Sequence, residues 1–118
     1  MSIFDATNNT LTIQQGATFS LSLNFESADE ETIDLSSATA AIQGRSSYDS
    51  GSTLFSLTQA SGITLASTNP NIILTMNNTV TAALTAPLTG VYDLEITISG
   101  TVYRILEGPL RITPEVTR

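Results

Sequence analysis

Tyr92-Asp93-Leu94-Glu95-Ile96-Thr97-Ile98-Ser99, then Gly100 and the return Thr101-Val102-Tyr103-Arg104-Ile105-Leu106, is the stretch that decides the fold. Tyr92, Leu94, Ile96 and Ile98 fall on one side of a pleated strand and Asp93, Glu95 and Thr97 on the other, because successive strand residues point to opposite faces. Ser99-Gly100 is a tight-turn pair, so 101–106 returns as the second arm of a hairpin. Such a hairpin has one apolar face, and a second layer must cover it.

The same period of two runs through the rest of the chain. Phe19, Leu21, Leu23 and Phe25 alternate with Ser20, Ser22, Asn24 and Glu26 in a half-buried strand over 16–26. Residues 37–45 repeat the pattern, with Ala38, Ala40 and Ile42 on one side and Thr39, Ala41 and Gln43 on the other. Shorter strands read from 53–58, 63–66 and 71–76, separated by Ser-Gly and Asn-Pro-Asn turns. Asn77-Asn78-Thr79 supplies good N-cap residues before an alanine-rich run that Pro87 stops, which predicts a short helical turn near 78–84. Gly108-Pro109 interrupts the last strand. Proline lacks the N–H that a central ladder needs, so this dipeptide predicts a bulge or an edge, after which Leu110 and Ile112 resume the alternation.

About seven to eight short strands, with turns every 8–12 residues or so, predict an antiparallel sandwich or barrel. One apolar face per strand at this chain length points to two facing sheets, an all-β antiparallel sandwich. The 118 residues are enough for one such domain, with 1–9 and 114–118 as extended tails. Composition narrows the function. The chain has no Cys, His, Trp or Lys, and its four positive side chains are all Arg. That removes disulfides, Cys/His zinc sites, Ser–His and Cys–His pairs and Schiff-base lysines, so the expectation is a non-enzyme with no cofactor. A net charge of −7 opposes binding to nucleic acid and to anionic membrane surfaces. The N-terminus carries neither a basic flank nor an apolar run, so no signal peptide or membrane span is expected.

Leu88-Thr89-Gly90-Val91-Tyr92-Asp93-Leu94 follows the helical turn and opens a strand. Immunoglobulin-type sandwiches carry a Tyr near the start of strand F whose hydroxyl bonds back to the preceding corner, and Tyr92 is placed for that role. The antibody Cys and Trp are absent, and Leu94 stands where the Cys would. Four stretches extend the likeness, in order: Ile13-Gln14-Gln15-Gly16-Ala17-Thr18-Phe19; Ile33-Asp34-Leu35 leading into Ala40-Ala41-Ile42-Gln43-Gly44-Arg45; Gly90-Val91-Tyr92-Asp93-Leu94-Glu95-Ile96; and Arg104-Ile105-Leu106-Glu107-Gly108 with Val116-Thr117-Arg118. In these the chain resembles small phage virion proteins with immunoglobulin-like folds. It looks like the N-terminal module of baseplate and receptor-binding proteins, and like small tail or head accessory proteins. The resemblance implies a bacteriophage structural protein present in several copies, made in the host cytoplasm and located in the virion. Its partners would be other virion proteins and copies of itself.

Several residues are candidates for contact. Arg104, Arg111 and Arg118 offer planar donor forks suited to carboxylates, a plausible self-docking device in an acidic protein; ordinary local pairs are the competing account. The polar face of the hairpin sets Asp93 and Glu95 near Arg104, a better arrangement for ion pairing than for acid–base catalysis. Tyr48, in the polar loop 46–52, suits a protein contact or a sugar platform. Ile3 and Phe4 at one end and Val116 at the other suit tails that add a strand to a neighbour. The acidic run 26–34 holds five of the eleven carboxylates. It lacks the spacing and turn Gly of an EF-hand loop, so a solvated loop is expected over a calcium site. The expected function is docking in a tail or baseplate. Capsid decoration and a host-glycan adhesion module are the alternatives.

Overall fold

The hairpin is the spine of the molecule. A computed structural model describes residues 7–26, 29 and 31–116. In it β8 (Leu88–Ile98) and β9 (Thr101–Thr113) pair antiparallel from Leu88↔Ile112 to Ile98↔Thr101. Ser99 (φ 50°) and Gly100 (φ 84°) form the connecting turn. Two positive φ values in a two-residue loop match the right-handed twist of the strands they join.

Two sheets grow around this hairpin. β4 (Thr39–Arg45) lies beside β8, and β5 (Phe55–Thr58) beside β4. On the far side of β9 run β1 (Thr7–Asn8) and β2 (Leu11–Gln14), completing the large sheet. The small sheet has the order β3-β7-β6, from Phe19–Leu23, Ile72–Met76 and Ile63–Leu65. The orders β3-β7-β6 and β9-β8-β4-β5 make the two layers of an all-β sandwich.

The inward residues of both sheets form one core. Ile13, Ile42, Leu94, Ile96, Leu110 and Ile112 from the large sheet and Ile72 and Leu74 from the small one are fully buried. Each comes from the apolar half of a period-two pattern, which is why the alternation predicts the layers. The short helix α1 (Asn78–Ala82) closes one end. Asn77 caps it by accepting the Val80 N–H at 2.9 Å, and buried Thr81 donates its hydroxyl to Ala17 O at 2.8 Å.

The structure changes four expectations. The sandwich is not wholly antiparallel: β1 and β2 pair with β9 in parallel. Residues 7–9 are not a free tail, since Asn9 donates its N–H to Glu107 O at 2.9 Å; Gln15 likewise takes the Glu115 N–H at 3.0 Å, which docks the other end. Residues 1–6, 117 and 118 lie outside the described residues, and with them Ile3, Phe4 and Arg118.

The third change concerns Gly108-Pro109. β9 continues through it, and the register shift falls instead between Leu94 and Glu95, which face Leu106 and Arg104 and leave Ile105 as the extra residue. The effect of Pro109 appears on the other side, where the N-terminal strand breaks between Asn8 and Leu11 without changing register. In a parallel ladder a residue that donates to Glu107 O accepts from the N–H of residue 109, and proline has none.

Tyr92 is the fourth change. Its hydroxyl donates to Asn9 O at 2.9 Å and not to the corner before its own strand. This is the carbonyl that Pro109 leaves unmet. Tyr92 sits opposite Gly108, whose φ of 148° and missing side chain leave a path across β9 to the third strand. Burial pushes the Tyr92 phenol above its usual pKa of 10.0.

Candidate functional site

Two surfaces carry the unexplained chemistry. The first is the outer face of the large sheet. The extra residue at Ile105 sets Arg104 opposite Glu95, and its guanidinium lies 3.4 Å from Asp93, 3.6 Å from Glu95 and 3.4 Å from Glu107. The Asp93 carboxylate above all, then Glu107 and Glu95, holds the guanidinium charged beyond its usual range. Three carboxylates converge on one cation, so Arg104 is engaged within its own chain. All four side chains are roughly half exposed, from 41% to 51%. Their pairing fixes the local geometry and contributes little stability.

Next to this network the β4–β5 loop forms a shallow cleft of about 190 Å³, lined by Gln43, Arg45, Tyr48, Asp93, Arg104 and Glu107. Arg45 stiffens the loop by donating to Ser50 O at 2.8 Å and to Gln43 Oε1 at 3.0 Å. Tyr48 stands at its tip, 81% exposed. The structure thus brings Tyr48 and Arg104 together. It leaves Arg111 apart, exposed between Thr12 and Thr89 and with no salt bridge among the described residues. Val116 is exposed near the other end of β9.

The second surface is the free border of β3. No described strand pairs with its outer side. Phe19, Leu21 and Leu23 are half-buried, because the small sheet stops beside them and no described strand covers their flank. The backbone polarity of this border follows from its neighbours. Thr75 donates its N–H to Gly62 O at 2.8 Å, away from β3, so Ser20↔Thr75 is a pair without ladder bonds. The N–H and C=O of Ser20, and by alternation those of Ser22, therefore point out from the border. Natural sheets blunt such borders with Lys, Pro or a bulge, and β3 has none of these. The sequence carried the alternation of this strand but no sign that its flank stays open.

A third feature is structural. Asn71 is fully buried, and its side chain accepts the Phe25 N–H at 2.8 Å while donating to Phe25 O at 2.9 Å and Ile33 O at 2.8 Å. It closes the base of the acidic loop by doing the work of a paired strand residue. In the loop itself Glu26 accepts from Asn69 at 2.9 Å. Asp34 accepts from the Ser36 N–H at 2.9 Å, and hydrogen bonds from Ser36 hold its carboxyl below the usual aspartate value. Residues 27, 28 and 30 of the loop lie outside the described residues. Among the described residues no three acidic side chains are grouped to hold a metal, and no helix is long and apolar enough to cross a membrane. The chain matches no protein-family model and no curated protein.

Proposed function

We propose that this chain is a non-enzymatic bacteriophage virion protein of the tail or baseplate, working by protein–protein docking. The observation that carries the docking is the border of β3: outward-pointing backbone groups above half-covered Phe19, Leu21 and Leu23, with no charge to repel a partner strand. The four phage-like stretches supply the virion context, and capsid decoration differs from this reading only in address. Because Arg104 is already surrounded by its own carboxylates, Arg111 is the better candidate of the two to meet a partner's acid. The test is the double variant Ser20→Lys/Ser22→Lys, in which two exposed side chains gain charge. It folds with an unchanged circular dichroism spectrum and no longer co-purifies with phage particles; wild-type incorporation would reject docking through this border.

The cleft beneath Tyr48 favours a second reading, an adhesion module for host glycan, since an exposed ring beside polar side chains suits a sugar. A glycan array probed with the soluble protein and with Tyr48→Ala separates the two. Binding that disappears in the variant supports the adhesion module.

A further inference from the structure

We infer that the partner of the β3 border is β3 of a second copy, paired antiparallel about a twofold axis through Leu21; this rests on the docking reading above and names its occupant. Backbone register is the first argument. The outward groups are those of Ser20 and Ser22, two positions apart, so an antiparallel copy that sets Ser20 against Ser22 satisfies both residues. The twofold axis then repeats the same bonds on the other side. This register also overlaps the whole of Phe19–Leu23 with its mate. Leu21 meets Leu21 on the axis and Phe19 meets Leu23, so the half-covered apolar side chains cover one another.

Charge is the second argument. Each copy carries −7, so two copies repel except where their surfaces are neutral. Residues 17–25 contain no charged side chain. The groove of about 310 Å³ between β2 and β3, lined by Thr12, Gln14, Ala17, Thr18, Phe19 and Ser20, contains none either. A basic partner would find nothing to pair with here, whereas an identical neutral strand finds its complement. The product is one continuous sheet that runs from β6 of one copy to β6 of the other.

The chain has no cysteine, so an introduced thiol is the only one present. In the proposed register positions 20 and 22 of opposite copies form a ladder-bonded pair with Cα atoms ~5.5 Å apart, within disulfide range. Position 20 is ~7–8 Å from its own counterpart, and so is position 22, beyond that range. Under mild oxidation a mixture of Ser20→Cys and Ser22→Cys proteins gives a cross-linked dimer in several-fold higher yield than either protein alone. By sedimentation the wild type shifts from 12.5 kDa toward twice that mass as concentration rises. The shift is larger in high salt, which screens the acid–acid repulsion, and Ser20→Lys/Ser22→Lys stays at monomer mass. Equal yields from all three thiol samples, or a wild type that stays monomeric at every concentration, would overturn the self-pairing. If the lysine variant still fails to enter particles in that case, the docking reading stands with a different partner; if it enters normally, both are rejected.

Discussion

On the flank where the chain turns at 15–18, the two sheets end in different ways. The large sheet ends at β1 and β2, which run parallel to β9 and are bonded to it on either side of Pro109. The small sheet ends at β3, with no described strand beyond it. The described N-terminal strands, 7–8 and 11–14, extend the large sheet. The cost is a missing ladder bond at Pro109, which the Tyr92 hydroxyl replaces. The contrast teaches that this fold finishes one border from within and, among the described residues, leaves the other unpaired.

Three substitutions probe the contrast, from the largest effect to the smallest. Asn71→Ala strikes the small sheet at the point where it holds the loop after β3. It strips partners from Phe25 and Ile33 and lowers the free energy of unfolding by about 2–4 kcal/mol, read by urea denaturation. A loss under about 1 kcal/mol would mean that water or a rearranged loop takes over the bonds.

Tyr92→Phe strikes the border of the large sheet. It leaves Asn9 O without its donor at a loss of about 1–2 kcal/mol, with faster amide exchange along 7–14 as the local sign. This position also has a pH signature. The folded phenol ionises above 10.0, so its contribution is complete below the unfolded value near 10 and is lost as pH rises through the folded one. Wild-type stability therefore falls more steeply than that of Tyr92→Phe in alkaline titration. Parallel curves would remove Tyr92 from the account. Arg104→Gln acts on the outer face, where the ion pairs are half exposed. It changes stability by less than about 1 kcal/mol, and the remaining difference shrinks in high salt.

The layers were legible because burial follows residue parity: Leu94, Ile96, Leu74 and Ile42 are buried where the alternation puts them. The helix was legible from the Asn77 cap and the stop at Pro87. The parallel pairing of 7–14 was not, because nothing local distinguishes a strand that joins β9 from one that joins β3. In hindsight Gly108-Pro109 opposite Tyr92 was the signal: a proline that orphans a carbonyl, a glycine that opens a path, and a phenol able to cross it. Asn71 lay hidden in an Asn-Pro-Asn turn whose composition reads the same whether its side chain faces water or core. Of the contact candidates, Tyr48 and Arg104 line one cleft, a juxtaposition that residue type alone did not give. The open border of β3 was invisible, since openness is a property of what fails to arrive beside a strand.

Hydrogen exchange at the amides of Ser20 and Ser22 tests the division between a finished and an open border most directly. Both point outward from β3, while the Leu21 amide lies in the ladder with β7. In dilute protein Ser20 and Ser22 exchange quickly and Leu21 slowly, and in the assembled state all three are protected. Slow exchange at Ser20 and Ser22 in the dilute monomer, or fast exchange there after assembly, would contradict the account.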